Sequence, residues 1–176
     1  MRRLASWAAV LAVLAGCGSE KVSGPPPAAP TRMTLSSPAF GGGAAIPRRF
    51  TCDGANASPP LRWSRPPAGA RSLALLMEDP DAPGGTFVHW TAYGLAARAG
   101  GLEAGQRAPR EGTNSFGDRG YGGPCPPGGQ THRYVFTVYA LRSPLALPAG
   151  AEPGDVRAAI AKSAVARGQL TGRYGR

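Results

Sequence analysis

The chain reads as a mainly antiparallel β protein with a small helical supplement. Three observations carry this reading. Three apolar or aromatic runs of strand length stand between clusters of turn residues. The 176 residues include 26 Gly and 19 Pro, about a quarter of the chain, which disfavours long helices and supplies turns. One segment near the C-terminus carries a convincing 3.6-residue apolar period. Hydrophobic residues reach 42%, so one domain of ordinary size can still bury a core. Coiled coils, helical bundles and multi-helix membrane proteins do not fit this composition.

The elements follow in chain order. Residues 1–16 begin with the basic Arg2 and Arg3 and continue as an apolar run. That run is shorter than the ~20 residues a membrane-spanning helix needs, and it fits the apolar core of a secretory signal. It ends Leu14-Ala15-Gly16-Cys17, which resembles the lipobox of bacterial lipoproteins. The resemblance implies cleavage before Cys17 and a thioether-linked lipid on its sulfur. The mature chain, residues 17–176, then sits on a membrane without spanning it, outside the cytosol, where disulfides persist. Gly18 rather than Asp after the cysteine favours the outer membrane where a cell has one. Residues 17–31 hold the lipidated Cys17 and a tether. The tether has almost no large apolar side chain, and Pro25, Pro26, Pro27 and Pro30 favour an extended form that holds the domain off the membrane.

Residues 32–176 are the globular part. Short segments around Met33 to Leu35 and Leu61 to Trp63 are strand candidates. Residues 71–78 (RSLALLME) form a nearly continuous apolar run closed by Asp79-Pro80, the pattern of a strand buried on both faces. Residues 86–93 (TFVHWTAY) and 133–141 (RYVFTVYAL) are β-branched and aromatic. A helix is expected from the Pro153-Gly154-Asp155 cap through Val156, Ala159, Ile160, Ser163 and Ala164, with Gly168 as its stop.

Formal net charge is +10, from 20 basic and 10 acidic residues. The arginines are scattered singly or in pairs, without the clustered stripe of a nucleic-acid binder, so no nucleic-acid partner is expected. The two histidines, His89 and His132, stand beside unusual loops. His89 follows Asp79-Pro80-Asp81-Ala82-Pro83; His132 follows the Gly- and Pro-rich residues 120–129. Aspartates locked between prolines have little backbone freedom, and Asp79 sits where a buried strand ends. Two rigid loops with polar residues at strand ends either converge on a pocket or are satisfied turns.

Four motifs occur in order: TCDGANASPPLRW (51–63), EDPDAPGGTFVHW (78–90), NSFGDRGYGGPCPP (114–127) and THRYVFTVYAL (131–141). They resemble the phosphatidylethanolamine-binding protein family in its bacterial Raf-kinase-inhibitor-like branch. Residues 166–174 (ARGQLTGRY) resemble that branch's ending. The resemblance implies an antiparallel β-sandwich with a few peripheral helices, and a small anion pocket at one end. Carried over motif by motif, the pocket is Asp79, His89, His132 and Tyr134, with Asp81 in support and Pro126 and Pro127 at the mouth. Arg133 orders the DPDAP turn. Thr131 departs from the family's small residue before the His-Arg-Tyr motif.

The implied function is non-catalytic binding of a phosphate-bearing small molecule or phospholipid headgroup, with modulation of an envelope enzyme or other protein partner. Imidazoles and a tyrosine hydroxyl donate to phosphate oxygens. Asp79 is expected to hydrogen-bond an imidazole and favour its charged form, so binding weakens as pH rises through the histidine range. Cys52 and Cys125, in loops at the same end, are either a disulfide or free thiols. The alternative is a small hydrolase or metal-assisted enzyme using the Asp/His pocket. Against it, no HExxH spacing, CxxC pair or GxSxG elbow is present, and Ser58 and Ser115 have no evident base. No cofactor, metal site or catalytic residue is assigned. A third reading is a purely protein-binding surface protein.

Overall fold

A computed structural model describes residues 22–98 and 100–176. The signal peptide, Cys17 and the first residues of the tether lie outside the described residues. The order is β1 (Thr31–Arg32), β2 (Leu35–Ser36), β3 (Leu61–Trp63), β4 (Ser72–Asp79), β5 (Phe87–Leu95), β6 (Gly100–Leu102), β7 (Arg110–Glu111), β8 (Thr131–Leu141), α1 (Pro153–Ser163) and β9 (Ala164–Gly175), with a short 3-10 turn at Arg48–Phe50. Six strands form one sheet in the order β1-β9-β8-β4-β5-β7, and β2-β3-β6 form a second. All pairings among these strands are antiparallel except β1 with β9.

Strand β4 is buried throughout because both of its faces are covered. Leu73, Leu75 and Met77 join Trp90, Phe136 and Val138 in the core against Leu35, Leu61 and Trp63 of the small sheet. Ala74 and Leu76 face the other way, with Tyr93 and Tyr139, onto Val156 and Ile160 of α1. The near-continuous apolar run of β4 is the sequence cost of having two covered faces. This alternation sends two consecutive acids at the strand's end to opposite sides. Glu78 goes to the helix side, where it pairs with Arg157 of α1. Asp79 goes to the side of the small sheet.

The register of β5 on β4 then slips. Met77 pairs with Trp90 and Glu78 with Val88, so His89 is an extra residue with no partner on β4. Such a bulge re-aims the side chain it carries. Regular alternation from Trp90 would put His89 on the helix side; the bulge delivers it to the side of Asp79, where its ring meets Tyr134 edge-on at 5.2 Å.

The structure departs from expectation in four places. Gly168 does not end the helix, which stops at Ser163 and passes directly into β9. Ser163 is drawn into sheet-edge bonding: its carbonyl accepts from the Arg142 amide and its Oγ from the Ser143 amide. Gly168 sits within the strand because the Met33 backbone crosses it, and a Cβ there would lie 2.6 Å from the Met33 carbonyl oxygen. The strand candidate around Met33 to Leu35 is split between β1 and β2, since the Met33 amide still bonds Arg167 of β9 while Leu35 pairs with Trp63 of β3. Among the described residues α1 is the single α-helix, where a few helices were expected.

The fourth concerns the tether. From Val22 onward it is laid along the domain instead of standing off it. Val22 pairs with Thr86, Arg157 Nη2 donates to the carbonyls of Gly24 and Pro25, and Arg167 Nη1 donates to that of Pro27. Low hydrophobicity forecasts a free segment only when nothing else satisfies the backbone. Here two arginines do.

Candidate functional site

The pocket lies where β4 ends, β5 begins and β8 begins. It encloses about 310 Å³ and is lined by Asp79, Ala82, Pro83, Phe87, His89, Phe116, Cys125, Pro126, Pro127 and His132. Its polar end is built first. Asp79 Oδ1 accepts the Asp81 backbone amide at 2.8 Å, a turn that fixes the carboxylate. Asp79 Oδ2 lies 2.7 Å from His132 Nδ1, and both side chains are about 95% buried. The imidazole Nδ1–H therefore donates to the carboxylate. His132 Nε2 lies 2.9 Å from Gln130 Oε1, so both ring nitrogens are engaged. A ligand reaching for Nε2 must displace the Gln130 amide.

His89 is held differently. Its Nδ1 donates to the Gly122 carbonyl at 2.8 Å, leaving Nε2 as the free ring position. Burial pushes its pKa below the ordinary histidine value, a shift only partly offset by the Gly122 carbonyl and the Asp79 charge. The neutral ring then offers a lone pair at Nε2, an acceptor rather than a donor. Gly122 leaves room for the rim: a Cβ there would come within 2.6 Å of the Phe116 ring and push it from its present place.

The walls are apolar. Phe87 and Phe116 pack edge-on at 4.6 Å, and each also touches the His89 ring. Phe116 is the exposed large hydrophobic side chain of the described residues, 47% accessible at the rim. Its loop is tied by Asn114, whose Oδ1 accepts the amides of Phe116 and Asp118 and whose Nδ2 donates to the Gly120 carbonyl. A disulfide joins Cys52 to Cys125, with Cα atoms 5.4 Å apart. The Cys52 amide also donates to the Pro124 carbonyl, so the Pro126-Pro127 wall is pinned to the 51–53 turn by two bonds.

The structure brings Asp79, His89, His132, Pro126 and Pro127 together. It leaves Asp81 and Tyr134 out of the cavity wall. The Asp81 carboxylate is taken by Arg133, through the backbone amide at 2.8 Å and Nε at 2.9 Å, and the guanidinium holds its pKa below the usual carboxylate range. This is the turn-ordering role expected of Arg133. Tyr134 is fully buried beneath the histidines, and burial raises its hydroxyl pKa far above the ordinary tyrosine value. Its hydroxyl faces the Cys125 amide without a well-formed hydrogen bond. Phe87, Phe116 and Gln130 were not expected at the site. Phe87 and Phe116 lie inside the recognised motifs, in residues 78–90 and 114–127. Among the described residues no three His, Cys, Asp or Glu side chains form a metal-binding group, and no helix is long and apolar enough to cross a membrane.

The chain is thus a two-sheet β protein whose central strand β4 ends in a carboxylate–imidazole pair under an aromatic and proline rim. Comparison with known proteins supplies the family. A family model described as phosphatidylethanolamine-binding protein matches residues 36–175, and the chain belongs to that family. It is 48% identical over 154 residues to a Mycobacterium tuberculosis protein named as the lipoprotein LppC, covering 85% of this chain and 75% of that one. It is 43% identical over 152 residues to a UPF0098 protein of Methanothermobacter thermautotrophicus, covering 82% of this chain and 99% of that one. Among solved structures it resembles YbcL of E. coli, titled a member of the mammalian PEBP family, with a TM-score of 0.77 at 28% identity over 82% of this chain and 98% of that one. The PEBP homologue CT736 of Chlamydia trachomatis matches with the same TM-score at 36% identity, over 84% of this chain and 99% of that one.

Proposed function

We propose that the pocket binds a phosphate-bearing small molecule or phospholipid headgroup without chemical conversion, and that the protein does this as a lipoprotein anchored through Cys17 in the bacterial envelope. The observation that carries the reading is the buried Asp79–His132 pair at 2.7 Å inside a cavity of about 310 Å³. Asp79 holds the imidazole by Nδ1 and leaves Nε2, which faces the Gln130 amide, as the position that donates to an anion's oxygen when the ring carries both protons. Charge-assisted hydrogen bonds of this kind contribute about 1.5–3 kcal/mol each. His89 Nε2 adds an acceptor, which suits a ligand that carries its own proton, such as a hydrogen phosphate. The apolar rim of Phe87, Phe116, Pro126 and Pro127 suits the organic part of a phosphomonoester or lipid. The family description and the lipoprotein name of the LppC relative support the same reading. A protein partner is recruited, on this view, by the ligand-bound rim.

Calorimetric titration of the mature chain with inorganic phosphate and with phosphoethanolamine tests the proposal. Binding by the native chain and its loss in His132→Ala are expected. No heat from either probe at millimolar concentration, with the fold intact by circular dichroism, overturns it.

A further inference from the structure

The docked N-terminal segment decides which end of the molecule meets the membrane. Read as a free tether, the fourteen residues 18–31 are a leash about 43 Å long in extended polyproline form. It would start at β1, on the outer edge of the sheet. The structure shortens that leash. Arg157 Nη2 donates to the Gly24 and Pro25 carbonyls at 2.9 and 2.8 Å, and Arg167 Nη1 donates to the Pro27 carbonyl at 3.1 Å. The Arg157 guanidinium is itself fixed by the buried Glu78 carboxylate. The segment thus crosses the helix side of the sheet and ends at Val22, which pairs with Thr86 and is buried.

Thr86 is the residue before Phe87, a wall of the pocket. Only four residues separate Val22 from Cys17, five Cα–Cα steps with a reach of about 17 Å at full extension. The opposite end of the sandwich, where β4 begins at Ser72, lies about 23 Å further along the strand from Asp79. A lipid carried at Cys17 is therefore leashed to the pocket end. The rim at that end presents the exposed aromatic Phe116 and, in the same loop, the exposed Arg119. An aromatic side chain and a guanidinium together suit the headgroup layer of an anionic membrane.

We infer that the Arg157 and Arg167 latch turns the pocket mouth toward the membrane that carries the protein, so that its partner surface is the headgroup layer of that same membrane. The inference rests on lipidation at Cys17 and on the pocket reading above, but its geometry is independent of whether the pocket holds phosphate.

The test uses the lipidated chain in vesicles of phosphatidylethanolamine and phosphatidylglycerol that contain a small fraction of headgroup-spin-labelled lipid. Paramagnetic broadening of amide resonances is compared between Ala82, Phe116 and Gly128 at the pocket and Ala70, Ser72 and Ser143 at the far end. Broadening at least severalfold stronger at the pocket end is expected. It should persist in His132→Ala, because the leash and not the ligand sets the orientation. It should become even between the two ends when ten Gly and Ser residues are inserted between Lys21 and Val22, a change that leaves the latch and the fold untouched. Uniform broadening in the native chain, or a pocket-end bias that survives the insertion, overturns the inference. A bias that disappears in His132→Ala alone overturns it too, and assigns the orientation to ligand capture. Failure of phosphate binding in solution with the native bias intact sinks the pocket reading instead.

Discussion

Asp79 and His132, fifty-three positions apart, meet at 2.7 Å across adjacent strands, and neither side chain is more than 5% exposed. The contact follows from register. Glu78 pairs with Val135, so the next residue of β4 comes level with the first residues of β8, and both side chains lie on the side of the small sheet.

Asp79 accepts from both His132 and the Asp81 amide, so its removal strands the buried imidazole donor and the part-buried Asp81 amide. Asp79→Ala should cost about 2–4 kcal/mol of stability, because groups that have lost a buried partner pay their full desolvation cost. Urea unfolding of Asp79→Ala beside Asp79→Asn measures this. The asparagine keeps an acceptor and should recover a good part of the loss. Equal stability for all three chains would remove the pair from the site's architecture.

Gln130 occupies the ring nitrogen that a ligand needs. Gln130→Ala removes the competitor and should tighten phosphate binding about fivefold, the worth of one net hydrogen bond of about 1 kcal/mol. Titration with inorganic phosphate reads the change. Weaker binding would mean that the amide holds the ligand rather than the empty site.

Burial lowers the pKa of His89, and this sets the sign of its pH effect. Above pH ~6.5 the ring is neutral in both folded and unfolded chains and contributes no pH dependence. Below that the unfolded chain takes up the proton first. Stability should therefore fall as pH drops from about 6.5 toward the folded value, by at most ~1.4 kcal/mol per pH unit. Phe87, Phe116, Tyr134 and the Asp79 charge surround the ring, and of these only Asp79 opposes the effect. Unfolding free energies at pH 7.5 and 5.5 for the native chain and His89→Gln isolate it; an identical pH difference in both would show that His89 does not carry it. Glu78 acts with the opposite sign. Burial raises its folded pKa, so its contribution is lost as pH rises through that value, and it cancels in the comparison.

The Cys52–Cys125 disulfide closes a span of 73 residues. Loop-closure entropy for that span is worth about 4 kcal/mol. Cys52→Ser with Cys125→Ser should lower stability by that order. It should also weaken phosphate binding, since Cys125 lines the cavity and carries the Pro126-Pro127 wall. Stability and affinity unchanged by the double substitution would make the bond incidental.

Much of this was legible in the sequence. The strands β3, β4, β5 and β8 and the start of α1 fall where composition and period put them. Strand β9 did not stand out, because Ala164–Gly175 has no apolar run: its inward positions include Gly168 and Gly172, chosen for close approach rather than hydrophobicity. At the site, the polar residues and the loop prolines Pro126 and Pro127 of the recognisable motifs were found, and the aromatic walls Phe87 and Phe116 were not. Phe116 looks like any loop aromatic until the Asn114 turn places it over His89. The family resemblance, carried over motif by motif, groups Asp81 and Tyr134 with the pocket. The Arg133 pairing takes Asp81 elsewhere, and depth in the core takes Tyr134 out of reach. The tether's docking was invisible because its partners, Arg157 and Arg167, lie more than 130 residues away.

The bulge at His89 makes the pocket a matter of counting. Deleting Val88 would remove the register slip at this point of the β4–β5 pair and make the strand more regular here. It would also rotate the imidazole through the sheet to the α1 side. Copying this site onto another sandwich thus requires transplanting an irregularity, and a redesign that tidies the strand would erase it.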